Sequence, residues 1–518
     1  MRKIGEERLV RILFIVFLTV GIAARVWRFG RVPAGMNQDE AFAAYEAYSL
    51  LTTGLDTAGY PFPVYLTAWG SGMNALESYL MIPFIALLGL EVWAVRLPQL
   101  IVGVLSLAAS YDILKRTAGR WAGLCGMFLM AVCPWHILLS RWALESNLAP
   151  GFLLFGLCFF LRGLEDHRFF LLSALMYGLS LYCYAAVWPF VPLALLLQAG
   201  YALRGGQLRL RGRDGLWVWL SVLALFALAL PLLLFLLVNW GVLDELRLPF
   251  LSIPRLLVMR SGEFSLSTLP ENAANLLNLL LKQSDGLLWN SPEGFGLFYY
   301  GTLPLFLVGA WRAFRDAFAA LRGGEPRPLG LLAVPLLTGL FQGLCLAHAN
   351  VNRINSLWPM VVLLSAAGVW TLCTRLGPRA LAVPLIFYTA LFIRFEAYCF
   401  SGYAVDVQRA FYYGLEDAVD AALDHEGEIR VTPGANYACI LFYSAQDPDE
   451  YRSTVVYTNY PSAFLSVGRF GRFLFSMDPS SPDPSCVYIV NRSGDRDALE
   501  AAGFAVERYG YYWTAYYE

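Results

Sequence analysis

Charge is scarce in this chain: Asp, Glu, Lys and Arg make up 15% of its 518 residues, against 58% hydrophobic residues. So little charge cannot solvate the surfaces of several ordinary soluble domains, and a mean hydropathy of +0.53 points instead to a polytopic membrane protein. An excess of one sign is missing too. With 38 Lys and Arg against 39 Asp and Glu the formal charge is −1, which removes the basic field that nucleic-acid binding needs. The nine cysteines include no CxxC, so nothing suggests a zinc ribbon or a disulfide framework. No internal repeat is visible.

Long apolar runs are what the chain has. A spanning helix needs ~20 mostly apolar residues, and about eleven segments meet that test: 12–29, 97–114, 121–139, 148–162, 168–184, 186–203, 216–238, 296–312, 329–347, 355–374 and 379–396. The first follows Arg2, Lys3, Arg8 and Arg11 and could pass for a signal peptide, but the many later spans favour a retained one. Short connections near 115–120, 162–168, 204–213, 312–327 and 375–379 collect arginine and lysine, whereas those near 135–149 and 347–354 hold one arginine each. The positive-inside rule then puts the N-terminus in the cytoplasm and, after an odd number of spans, the C-terminus outside.

Three segments fall on that outer side: loops of about 30–96 and 239–295 and a tail, 397–518. The chain therefore reads as an all-α membrane domain (1–396) followed by an extracytoplasmic α/β domain. In the tail, Val405–Asp424 and Arg496–Ala502 are expected as helices, and Glu428–Thr432, Ser453–Thr458 and Val487–Asn491 as strands. Cys439 and Cys486 could pair outside the cell or remain separate buried thiols.

The ionisable residues of the outer side are few. Met36-Asn37-Gln38-Asp39-Glu40 precedes a helix-forming stretch, so Asn37 or Asp39 is either a helix cap or, for Asp39, a reactive carboxylate beside Glu40. In Pro134 to Asn147, a helix would put Arg141 and Glu145 on one face, as a local ion pair or as part of a site. His348, Asn352 and Arg353 form a third group. His136 and His348, with acidic neighbours, could complete a divalent metal site or merely be hydrogen-bonded.

At these residues the chain resembles the GT-C superfamily of integral-membrane glycosyltransferases, especially bacterial relatives of protein O-mannosyltransferase and of the lipid A aminoarabinose transferase. The resemblance rests on Asp39-Glu40 in a large first outer loop, Ala94-Val95-Arg96-Leu97-Pro98 entering the second span, and Ser140-Arg141 followed by Glu145. It implies a sugar arriving on a polyprenyl phosphate, transfer on the outer membrane face, and Asp39 at the reacting centre with Glu40 as its neighbour. It also implies that the loop 239–295, with Arg255 and Arg260, is a mobile cover over the lipid-sugar cavity; a static amphipathic lining is the other reading. Where relatives carry a Pro-Pro-Leu run, this chain has Asn74-Ala75-Leu76-Glu77.

Residue chemistry agrees with that resemblance. Displacing a lipid phosphate from an anomeric carbon needs a carboxylate for the acceptor proton, here Asp39, and cations for the departing phosphate, here Arg141 and Arg353. Glu145 would orient Arg141 or the acceptor, which is a protein, a glycan or a lipid. A transporter or flippase of a lipid-linked sugar would share the arginines, though transporters usually show paired halves with broken helices at mid-membrane.

Overall fold

The structure, a computed structural model, describes residues 2–259 and 267–517. Among them eight helices are long and apolar enough to cross a membrane, including Gly5–Val26, Gly212–Asn239 and Trp358–Leu376, and the chain is a multi-pass membrane protein. Three expected spans differ in extent. The run 121–139 divides into Arg120–Val132 and Pro134–Leu139, because Pro134 has no N–H to continue the ladder. The helix in 168–184 is Phe169–Ser180, and 296–312 gives way to Leu303–Leu321.

Residues 1–29, 99–230 and 261–403 cluster as one compact unit. Its helices pack through small residues, as expected where lipid leaves no hydrophobic drive between helices. At Gly309 and Gly368 a Cβ would lie 1.8 Å from the Leu364 carbonyl oxygen and 2.0 Å from that of Leu305, so helices Leu303–Leu321 and Trp358–Leu376 touch backbone to backbone.

Residues 30–98, 231–260 and 404–518 form the second unit. Within it lie the helix Gln38–Thr53, the paired strands Tyr65–Leu66 and Met73–Asn74, the hairpin Leu246–Leu248 with Leu251–Ile253, and the tail. The tail carries a mixed seven-stranded sheet in the order 505–509, 512–516, 487–490, 429–431, 473–474, 467–470, 456–457. Ile429–Val431 runs parallel to both neighbours, pairing Ile429 with Val487 and with Phe473; the other pairs are antiparallel. Tyr488, Val490, Leu499, Phe504 and Ala515 make a buried core beneath it.

The expected α/β character of the tail is present, with local differences. Val405–Asp424 is not one helix: regular turns cover Ala404–Asp406 and Leu415–Leu423, and Gly414, at φ +87° and pressed so close to the Tyr509 carbonyl that a Cβ would lie 2.2 Å away, precedes the second. Ser453 and Thr454 end a helix, Pro448–Thr454, because Asp447 accepts from the Asp449 and Glu450 N–H groups and starts one; the strand shrinks to Val456–Tyr457. Cys439 and Cys486 are free, buried thiols.

The second unit also buries an acidic pair. Both Glu46 oxygens accept from Thr57, from its N–H at 2.9 Å and its hydroxyl at 2.6 Å, while Asp56 accepts from Tyr60 N–H, Ala58 N–H and the Thr67 hydroxyl. Burial, then the Asp56 charge, pushes Glu46 up to about 8, and burial raises Asp56 as well. Because Glu46 keeps its proton in the folded chain up to about 8 but loses it near 4.5 when unfolded, stability falls as pH rises between those values, by about 1.4 kcal/mol per pH unit. The melting temperature is therefore expected to drop from pH 5 to pH 8, and Glu46→Gln to flatten that slope in a pH-resolved thermal scan.

Candidate active site

In the second unit, local sequence sets where the Asp39 carboxylate stands. Asn37 has extended backbone, its Oδ1 accepts from the Asp39 N–H at 3.0 Å, and Glu40 accepts from the Asn37 N–H at 3.4 Å. Asn37 is thus the cap, in a reciprocal capping box. The half-buried Asp39 side chain sits in the first turn, where the helix dipole favours an anion.

Glu40 is fully buried and its carboxylate is met by the Arg96 fork, Nε to Oε1 at 2.6 Å and Nη2 to Oε2 at 2.8 Å. The same guanidinium donates to the carbonyls of Pro33 at 2.8 Å and Gly35 at 2.7 Å, which ties the segment before the helix to it. Gly35 has φ +80°, and a Cβ there would lie 2.0 Å from the Phe411 oxygen.

The tail closes on the same turn. Gln38 Oε1 accepts from Asn436 Nδ2 at 2.9 Å and from the Tyr412 hydroxyl at 3.4 Å. Burial, with the Asp39 charge contributing, pushes the Tyr412 phenol up to about 12, and burial with Glu40 and Asp39 raises the Cys439 thiol well above its usual value. Asp39 is thus flanked by tail residues that stay neutral at physiological pH.

In the first unit, Arg141 is fully buried and caps the end of the first helix: Nη1 donates to the carbonyls of Ala24 and Arg25 at 3.0 Å, and Nη2 to those of Trp27 at 2.8 Å and Arg28 at 3.1 Å. The expected helix through Arg141 and Glu145 is absent. Leu139 ends one helix and Glu145 begins the next, Glu145–Gly163, so the two residues share no helical face. Arg141→Gln is expected to lower the unfolding free energy in detergent by about 2–4 kcal/mol, since two of the orphaned carbonyls are buried. Denaturant titration reads it.

His136 is buried, and its Nδ1 lies 2.6 Å from Arg25 Nη2; Arg25 also donates to Gly21, Ala131 and Met130 carbonyls and to the Ser140 hydroxyl. Glu396, within electrostatic reach of both arginines, has an Oε1 that is buried and without a hydrogen bond among the described residues. Arg353 is half-buried, its Nη1 donating to the Ala347 carbonyl at 3.1 Å, beside Asn352, whose Oδ1 is likewise buried without a hydrogen bond among the described residues. His348 is exposed, at φ +53°.

In the second unit, Arg255 is exposed and lies 3.9 Å from Asp244, while Arg260 falls outside the described residues. Among the described residues no three His, Cys, Asp or Glu side chains come together as metal ligands, and with His136 facing Arg25 the donor set does not fit a divalent ion. Sequence reasoning gave no role to Arg25, Gln38, Arg96, Tyr412, Asn436 or Glu396. Arg96 carried a usable signal: a lone arginine between apolar residues demands a partner, and Glu40 was at hand.

A family model described as dolichyl-phosphate-mannose-protein mannosyltransferase matches residues 76–237. No curated protein sequence matches. Among solved structures, ArnT from Cupriavidus metallidurans in the apo state aligns with a TM-score of 0.59 and 13% identity, over 99% of this chain and 98% of that one. The same protein bound to undecaprenyl phosphate gives 0.56 and 13%, over 98% and 97%. The Archaeoglobus fulgidus oligosaccharyltransferase in complex with Zn and sulfate gives 0.52 and 12%, over 84% and 61%. At such identities the likeness is one of fold, and that fold is the GT-C fold of membrane glycosyltransferases.

Proposed function

We propose that the chain is an inverting glycosyltransferase that moves a sugar from a polyprenyl-phosphate donor to an acceptor on the outer face of the cytoplasmic membrane. The observation that carries this reading is the Asp39 carboxylate, held at a helix start that Asn37 caps and the Glu40–Arg96 fork anchors. A whole-chain likeness to an enzyme solved with undecaprenyl phosphate supports the lipid carrier.

In this reading Asp39 accepts the acceptor's proton as its oxygen or nitrogen attacks the anomeric carbon, and the lipid phosphate departs from the opposite side, inverting the centre in one step. Glu40 acts as a positioning residue through Arg96. Arg353, with Asn352 beside it, is the candidate to receive the phosphate; Arg141 spends its donors on four carbonyls at and just past the end of the first helix. Glu145, His348, Arg255 and Arg260 are candidates for acceptor or donor contacts. The outward placing of the second unit rests on the arginine bias of the short loops.

Purified protein incubated with a panel of polyprenyl-phosphate sugars and candidate acceptors tests it. Acceptor-dependent release of polyprenyl phosphate, with an inverted linkage in the product, is expected. Transport of an intact lipid-linked sugar across proteoliposomes without release would replace the proposal with a flippase.

A further inference from the structure

The second unit carries an apolar surface next to a membrane span that none of the chemistry above uses. Helix Gly212–Asn239 has 28 residues; at ~1.5 Å per residue it is about 42 Å long, more than the ~30 Å hydrocarbon core, so its ends reach the interfacial layers. Directly after it, Trp240, Val242 and Phe250 expose 61%, 65% and 73% of their surface. Phe250 stands at the tip of the hairpin Leu246–Leu248 with Leu251–Ile253.

This hairpin is fastened to the span rather than dangling from it. Asn239, the last residue of the helix, donates through Nδ2 to the Pro254 carbonyl at 3.0 Å and accepts from the Leu256 N–H at 2.8 Å. Tyr65 stacks on Phe235, one turn earlier, at 4.6 Å. Ser252 is bound on both sides to the 61–64 segment, accepting from Val64 N–H and donating to Phe62 and Pro61 carbonyls. The platform therefore has a fixed height relative to the helix end.

Its charges cancel locally. Glu245 pairs with Arg247 at 3.1 Å, Asp244 lies 3.9 Å from Arg255, and the Arg247 guanidinium carbon lies over the Tyr60 ring, 3.9 Å from its centroid. Nothing here selects an anionic partner. Large apolar side chains, tryptophan among them, at the depth of a span's end are what the boundary between headgroups and acyl chains accommodates.

From the fastening through Asn239 and the exposed Trp240, Val242 and Phe250, we infer that this hairpin is a membrane-inserted platform, dipping into the lipid leaflet at that end of the span. It needs neutral lipid only, and it ties the 240–256 segment of the second unit to the leaflet. The inference requires that Asn239 lie at a membrane face and does not depend on the transferase reading.

Single cysteines replacing Val242, Phe250 and, as a control on the tail, Ser480 would be labelled with a polarity-sensitive fluorophore in full-length protein, after confirming that the parent, whose nine cysteines are free and mostly buried, takes up no label. In phosphatidylcholine nanodiscs, probes at 242 and 250 are expected to emit at shorter wavelength than the probe at 480, to be quenched by spin-labelled lipid and to be shielded from iodide. Iodide quenching at all three positions would overturn the inference. So would shielding at 242 and 250 that spin-labelled lipid does not touch and that disappears on dilution in detergent, which would assign the face to a second copy of the chain.

Discussion

Asp39→Asn should leave the protein folded and remove most of its transfer activity, by about 10²- to 10⁴-fold, the usual loss on deleting a general base. The amide keeps the shape of the side chain but cannot accept the acceptor's proton. Folding should survive because the cap belongs to Asn37 and the anchor to Glu40 and Arg96. That division supplies the control: Asn37→Ala removes the cap at a cost of about 1 kcal/mol and should retain activity. Polyprenyl-phosphate release and melting temperature, measured on both variants at equal purity, decide it. Full activity in Asp39→Asn would take the acid–base role away from that residue.

Arg96→Met should have the largest effect on stability. The substitution strands Glu40 in a fully buried position and removes the donors to Pro33 and Gly35. Breaking a buried pair from one side usually costs about 3–5 kcal/mol, because the remaining charge stays desolvated. Replacing both partners, Arg96→Met with Glu40→Leu, should recover part of that loss, whereas independent roles would make the two losses add. Denaturant unfolding of the three variants separates the cases, and a single Arg96→Met variant as stable as the parent would show that the fork contributes nothing net.

What the sequence made legible follows from the length scale of each signal. Spans such as Gly212–Asn239 are visible because twenty apolar residues in a row have few other uses. The capping box at Asn37 to Glu40 is equally local, and the alternatives left for Asp39 narrowed once Asn37 took the cap. The pair Glu40–Arg96, 56 residues apart, and the bond from Asn436 to Gln38, 398 apart, leave no periodic trace, so the surroundings of Asp39 were invisible. The role of Arg141 was not legible for a physical reason. An arginine beside a span end can serve a ligand or backbone carbonyls, and only the position of the first helix's final turn decides between them. In the tail, the strands 505–509 and 512–516 were missed because their turn rests on a single glycine, Gly510, amid aromatic residues.

The contacts between helix Gln38–Thr53 and the tail bear on the order of events during synthesis. The Tyr45 hydroxyl donates to the Gln446 carbonyl, 401 residues further on, and Phe42 meets Tyr437 edge to face at 5.9 Å. At ~5–20 residues per second, a ribosome reaches the tail on the order of 20–80 s after it has made the helix. Through that interval Phe42 can already stack on Trp69, but it lacks Tyr437, Tyr45 lacks the Gln446 carbonyl, and Gln38 lacks Asn436 and Tyr412. The turn that bears Asp39 is thus among the first parts to be made and among the last to be finished.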